Sequence, residues 1–109
     1  MGADMKQTET QSKITKIEIP YQAIAQIARE YRICKLSLFG SVLRDDFGPE
    51  SDIDILVEFV PGATPGLGFI DIQDRLSQLF GRTVDLNTPQ DLSRYFRSEV
   101  LALAQVIYG

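Results

Sequence analysis

Three short apolar runs, Leu36 to Phe39, Asp52 to Phe59 and Thr83 to Asn87, alternate along the chain with segments of helical period. That alternation limits the fold to a few-stranded sheet with helices packed on it. Ile24, Ile27, Ala28 and Tyr31 recur at i, i+3, i+4 and i+7 behind Pro20, which predicts an amphipathic helix over about residues 20–32. Leu36 to Phe39 read as a strand buried on both faces and stopped by Gly40, with Ser41 as the N-cap of a short helix. Gly48 and Pro49 mark a turn, and Asp52 to Phe59 alternate as a second strand. Phe69, Ile72, Leu76, Leu79 and Phe80 predict a helix over about 65–80, closed by Gly81. After the third strand, Thr88 and Pro89 cap a tail whose apolar residues at Phe96, Val100, Leu103, Ala104 and Ile107 read as a last helix. The fold class is therefore α/β or α+β, in the order helix, strand, short helix, strand, helix, strand, helix.

Residues 1–16 hold only Met1, Ala3, Met5 and Ile14 as apolar side chains, so they read as a flexible leader before a single domain at 17–109. No apolar run approaches the roughly 18 residues of a membrane helix, and no signal peptide is visible, so a cytoplasmic protein without membrane contact is expected. Cys34 is the only cysteine and there is no histidine. General-base work and metal binding must then fall to carboxylates, and Cys34 itself reads as an inert small hydrophobe. A net charge of −4 argues against direct nucleic-acid binding.

The charge is unevenly placed. Asp45, Asp46, Glu50, Asp52, Asp54 and Glu58 fall in one stretch without a Lys or Arg. On a strand, Asp52 and Asp54 share a face while Ile53, Ile55 and Val57 turn to the core. Two such charges ~6 Å apart at an effective dielectric of 20 repel by about 3 kcal/mol, which a divalent cation relieves better than one arginine. Asp85 also leaves the core face, and if its strand neighbours that of Asp52, three carboxylates can hold the two ions of an in-line phosphoryl displacement. Gly40 and Ser41 offer close backbone approach and free N–H groups to a phosphate.

The stretch Leu38-Phe39-Gly40-Ser41-Val42-Leu43-Arg44 through Ser51-Asp52-Ile53-Asp54-Ile55-Leu56-Val57, continued by Val84-Asp85-Leu86, resembles the minimal nucleotidyltransferases (MNT) of the DNA polymerase β superfamily. The resemblance runs on through Pro89-Gln90-Asp91-Leu92 and the final helix. It implies a small mixed sheet flanked by helices, ATP as donor and Mg²⁺ as cofactor. It also implies that Gly40 and Ser41 hold the β- and γ-phosphates, and that Asp52 and Asp54 ligate both metals. Asp85 would complete the reactive metal and take the proton of the incoming hydroxyl. Arg44 would steady the triphosphate or pair with Asp46; the glycine that often follows this arginine in the family is Asp45 here. Family members of this size resemble antitoxins that transfer AMP to a tyrosine of a HEPN-domain ribonuclease toxin, so a hetero-oligomer with such a toxin is implied.

Each residue also has a plainer reading. Asp52, Asp54 and Asp85 can be solvated strand acids, Gly40-Ser41 a turn, and Arg44 a surface ion-pair partner. Tyr95, Phe96 and Tyr108 read as core rather than as a docking face. The pairs Arg29 with Arg32 and Arg94 with Arg97 read as solvated helix faces. The rival function is a non-catalytic antitoxin that neutralises a toxin by covering it; transfer to RNA or a small molecule ranks behind both.

Overall fold

The computed structural model describes residues 17–44, 47–63 and 65–109. The expected leader, together with Asp45 and Asp46, lies outside the described residues. The elements are α1 (Tyr21–Glu30), β1 (Ile33–Phe39), a 3-10 turn (Gly40–Leu43), β2 (Ile53–Phe59), α2 (Gly68–Phe80) and β3 (Val84–Asn87). A second 3-10 turn (Pro89–Asp91), α3 (Arg97–Leu103) and β4 (Gln105–Tyr108) complete the chain. The sheet runs β3-β2-β1-β4. β1 is antiparallel to both β2 and β4, and β3 is parallel to β2, so the sheet is mixed. A parallel step needs a crossover, and α2 supplies it.

The core follows the periods of the sequence. Ile24, Ile27 and Ala28 of α1 and Ile72 and Leu76 of α2 are buried against Leu36, Leu38, Ile53, Ile55, Val57, Val84 and Leu86 of the sheet. Ser37 and Leu56, which point the other way, are buried too, so β1 is covered on both faces at its centre as expected, while on β2 the outer face is covered at Leu56 and leaves Asp54 and Glu58 half-buried. Gly81 ends α2 in the left-handed region at φ 67°, the expected helix stop. β3 is an edge strand, yet α2 seals its outer N–H groups. Val84 N–H donates to Ser77 Oγ at 2.9 Å and Leu86 N–H to Gln73 Oε1 at 3.0 Å. Arg75 grips Glu30 through two bonds of 2.7 and 3.2 Å, joining α2 to the end of α1 and holding the Glu30 carboxyl below its ordinary range. Among the described residues no helix is long and apolar enough to cross a membrane.

Several local expectations fail, each for a physical reason. Ser41 is not an N-cap: it lies inside the 3-10 turn, which starts after extended Phe39 and has no side-chain cap. The tail is not one helix, because α3 stops at Leu103 and Ala104 turns extended, at φ −65° and ψ 144°, into β4. Ile107 continued the helical period by coincidence; β-branched Val106 and Ile107 instead complete the free edge of β1. Tyr95 and Phe96 are not core, being 83% and 58% exposed, and Leu103 is 70% exposed. Cys34 is exposed rather than an interior hydrophobe, its Sγ donating to Phe59 O at 3.5 Å. Arg97 is no solvated face residue, since it donates to Pro89 O at 2.8 Å and Leu92 O at 3.0 Å and so ties α3 to the second turn.

Ile55 is fully buried at the centre of β2. Ile55→Ala is expected to cost about 2–5 kcal/mol in chemical denaturation. A loss near zero would contradict this placement of the core.

Candidate active site

The site is built where β1 ends beside the start of β2. Phe39 pairs with Asp54 across the antiparallel ladder, which brings the following residue, Gly40, over the Asp54 side chain. Gly40 has φ 76°, and a Cβ built there would collide with Asp54 Oδ2 and stand 3.3 Å from its Cγ. Only glycine meets both demands. The chain then tightens into its 3-10 turn, and the backbone N–H of Ser41 donates to the Asp54 carboxylate. Gly40 and Ser41 are thus set directly against an acid.

β3 brings the third acid. Its parallel register places Asp85 opposite Asp54, and Val84 and Leu86 opposite Ile53 and Ile55. The alternation expected for each strand therefore coincides across the pair: apolar residues share the core face, acids the other. Asp52 stands one residue before β2 and is exposed, as is Asp85, while Asp54 is half-buried. Burial pushes the Asp54 carboxyl above its ordinary pKa, and the charges of Asp85 and then Asp52 push it further. Arg44 and the Ser41 N–H act against that rise without cancelling it. Gly40, Ser41, Arg44, Asp52, Asp54 and Asp85 are therefore one electrostatic neighbourhood. The pairing of Arg44 with Asp46 concerns a residue outside the described ones.

The acids form an open row and not a closed cage. Among the described residues, no three acidic, histidine or cysteine side chains are drawn together tightly enough to hold a metal ion by themselves. Asp52 lies before the paired strands and its charge acts on Asp54 less than that of Asp85, so Asp52 is the outlying member.

Residues missed by sequence reasoning hold this row in place. Ser77 and Gln73 fix β3 from α2, as described above. Arg82 donates from Nη2 to Gly48 O at 2.8 Å, and its guanidinium lies 4.5 Å from the centre of the Phe47 ring. These partners are far apart in sequence, and no local spacing signals them. A separate hollow of about 210 Å³, lined by Val57, Glu58, Phe59, Thr88, Pro89 and Gln90, opens at the other end of β2.

Known proteins resemble this chain in sequence and fold to different extents. A family profile described as a nucleotidyltransferase domain matches residues 21–107. A Thermococcus cleftensis protein named protein adenylyltransferase MntA is 31% identical over 85 residues, which cover 76% of this chain and 81% of that protein. A Methanocaldococcus jannaschii protein provisionally named a protein adenylyltransferase is 43% identical over 61 residues, and this match spans 55% of the chain but only 60% of the relative. A solved structure provisionally assigned as a minimal nucleotidyltransferase is 30% identical, with a TM-score of 0.65 over 77% of this chain and 85% of that one. An MNT antitoxin complex with a tri-AMPylated HEPN toxin of Shewanella oneidensis matches at 21% identity and a TM-score of 0.57, over 82% and 69% of the two chains, a likeness of fold.

Two substitutions test the geometry. Because its pKa is raised on folding, Asp54 holds its proton more tightly in the folded state than in the unfolded one. Its contribution to stability is therefore most favourable below the ordinary carboxylate pKa and is lost as pH rises through the raised value. Asp54→Asn should raise Tm at about pH 7.5 and change it little at about pH 4, as followed by circular dichroism. An equal shift at both would remove the electrostatic account. Gly40→Ala, strained by its φ and blocked by Asp54, should cost about 1–3 kcal/mol in denaturant titration.

Proposed function

The chain belongs to the nucleotidyltransferase domain family, and from that premise we propose that it transfers AMP from ATP to a tyrosine hydroxyl of a HEPN ribonuclease toxin, acting as the toxin's antitoxin. The observation that carries this reading is the convergence of Gly40 and Ser41 with Asp54 and Asp85 at one end of the sheet, Asp52 standing just before them. It is supported by relatives named protein adenylyltransferases and by the fold shared with an antitoxin bound to an AMPylated toxin.

The donor set suits a hard divalent cation. All donors are carboxylate oxygens, burial and then the charges of Asp85 and Asp52 raise the Asp54 pKa, and Mg²⁺ commonly takes one or two carboxylates together with substrate phosphates. An open row fits that habit better than a cage does. Asp52, Asp54 and Asp85 would hold the metal, which when bound supplies charge neutralisation at the phosphates. Gly40 and Ser41 would receive the β- and γ-phosphates where the backbone approaches most closely, and Arg44 would balance the triphosphate's charge. The acceptor oxygen forms its bond to the α-phosphorus as the bond to the β-phosphate oxygen breaks, pyrophosphate leaves, and Asp85 accepts the hydroxyl proton.

A protein acceptor accords with the surface. The net charge of −4 disfavours a phosphodiester backbone, while Tyr95, Phe96 and Leu103 present apolar area on the C-terminal segment. Asp52→Asn/Asp54→Asn should cut labelling of a co-purified toxin from radioactive ATP by at least about 100-fold. Intact-mass measurement of that toxin after co-expression should show added AMP units. An inhibited toxin of unchanged mass would favour the antitoxin that acts by binding alone.

A further inference from the structure

Asp52 is the outlying acid of the row, so its position depends on what fixes the chain on either side of it. The N–H of Ser51, before it, donates to Gly48 O at 3.1 Å, and the N–H of Ile53, after it, donates to Thr83 O at 3.0 Å. Gly48 O also accepts from Arg82 Nη2 at 2.8 Å, and Gly48 N–H donates to Ser51 Oγ at 3.0 Å. Both anchors of Asp52 therefore end on two adjacent residues, Arg82 and Thr83, three and two positions before Asp85. The Arg82 guanidinium lies over the Phe47 ring at 4.5 Å and, among the described residues, is committed to that ring and a carbonyl. Its charge does not figure among the influences on Asp54, unlike that of Arg44. A cation directed at a main-chain carbonyl and a ring acts on geometry more than on charge.

We propose that Arg82 is a positioning residue for the transfer reaction: by clamping the turn at Gly48 to the start of β3, it sets the spacing between Asp52 and the Asp54–Asp85 pair and so the affinity of the row for a divalent cation. The inference rests on the reading of these three acids as the metal-holding set. Removing a group that orients metal-holding side chains commonly costs 10–100-fold in metal affinity, so Arg82→Met should weaken cation binding by about ten-fold.

The test uses the full chain with Mn²⁺ as the probe cation, in the presence of a non-hydrolysable ATP analogue. Free Mn²⁺ is counted by electron paramagnetic resonance, and analogue affinity without metal is measured in parallel. The expected result is about ten-fold weaker Mn²⁺ binding in Arg82→Met, with metal-free analogue affinity within about two-fold of the parent. A merely structural role would move both together or neither. Should Arg82→Met fail to fold, Arg82→Gln, whose shorter side chain gives up the bond to Gly48 O, decides the matter: weakened Mn²⁺ binding with unchanged melting supports the clamp, and unchanged Mn²⁺ binding overturns it. If the parent takes up Mn²⁺ with the analogue and a folded Arg82→Met variant matches it, the clamp alone is refuted. If the parent takes up none, the metal-holding reading falls and the clamp with it.

Discussion

Like charges gathered at one end of two parallel strands are the constraint to which the rest of the molecule answers. Asp54 is half-buried, faces Asp85 across the ladder, and lies two residues after Asp52, which stands just before the strand. Burial first, and then the charges of Asp85 and Asp52, hold its pKa above the ordinary value. The fold opposes it with one backbone N–H, from Ser41, and the charge of Arg44. Neither is a buried counter-ion. A domain of this size keeps such a feature because Ile53, Ile55, Val57, Val84 and Leu86, on the opposite face of the same strands, anchor them in the core.

That arrangement explains how local features serve the site. A glycine at position 40 is required by both its φ and the carboxylate below it. Gln73 and Ser77 serve β3 by occupying N–H groups that an edge strand leaves open, and this steadies the strand carrying Asp85. Arg82 ties the turn before Asp52 to the same strand. Two strand acids and the one just before β2 are thus held by contacts that come mostly from other elements.

Much of this was legible in the sequence where a short-range rule applies. The stripe of α1 and the alternation of Ile53, Ile55 and Val57 follow from periods of 3.6 and 2, and the left-handed stop at Gly81 from a glycine placed after the last apolar residue. The pairing of Asp54 with Asp85 does not, because α2 and the parallel crossover set that register. β4 was hidden because Ile107 falls in phase with a helix that ends four residues earlier. Phe96 and Leu103 fit a buried stripe by spacing and Tyr95 reads as core by its aromatic ring, yet all three are exposed and α3 has no buried residue. Arg97 and Arg82 look like surface charges until the carbonyls they serve, at Pro89, Leu92 and Gly48, are brought near.

The central claim is that this acidic row serves as a cation-assisted nucleotide site. Its most direct test is a crystal structure grown with Mn²⁺ and a non-hydrolysable ATP analogue, read by anomalous scattering. The account predicts manganese peaks bounded by Asp52, Asp54 and Asp85, with the triphosphate passing over Gly40 and Ser41. A nucleotide bound elsewhere, or bound here with no manganese between it and the carboxylates, would contradict it.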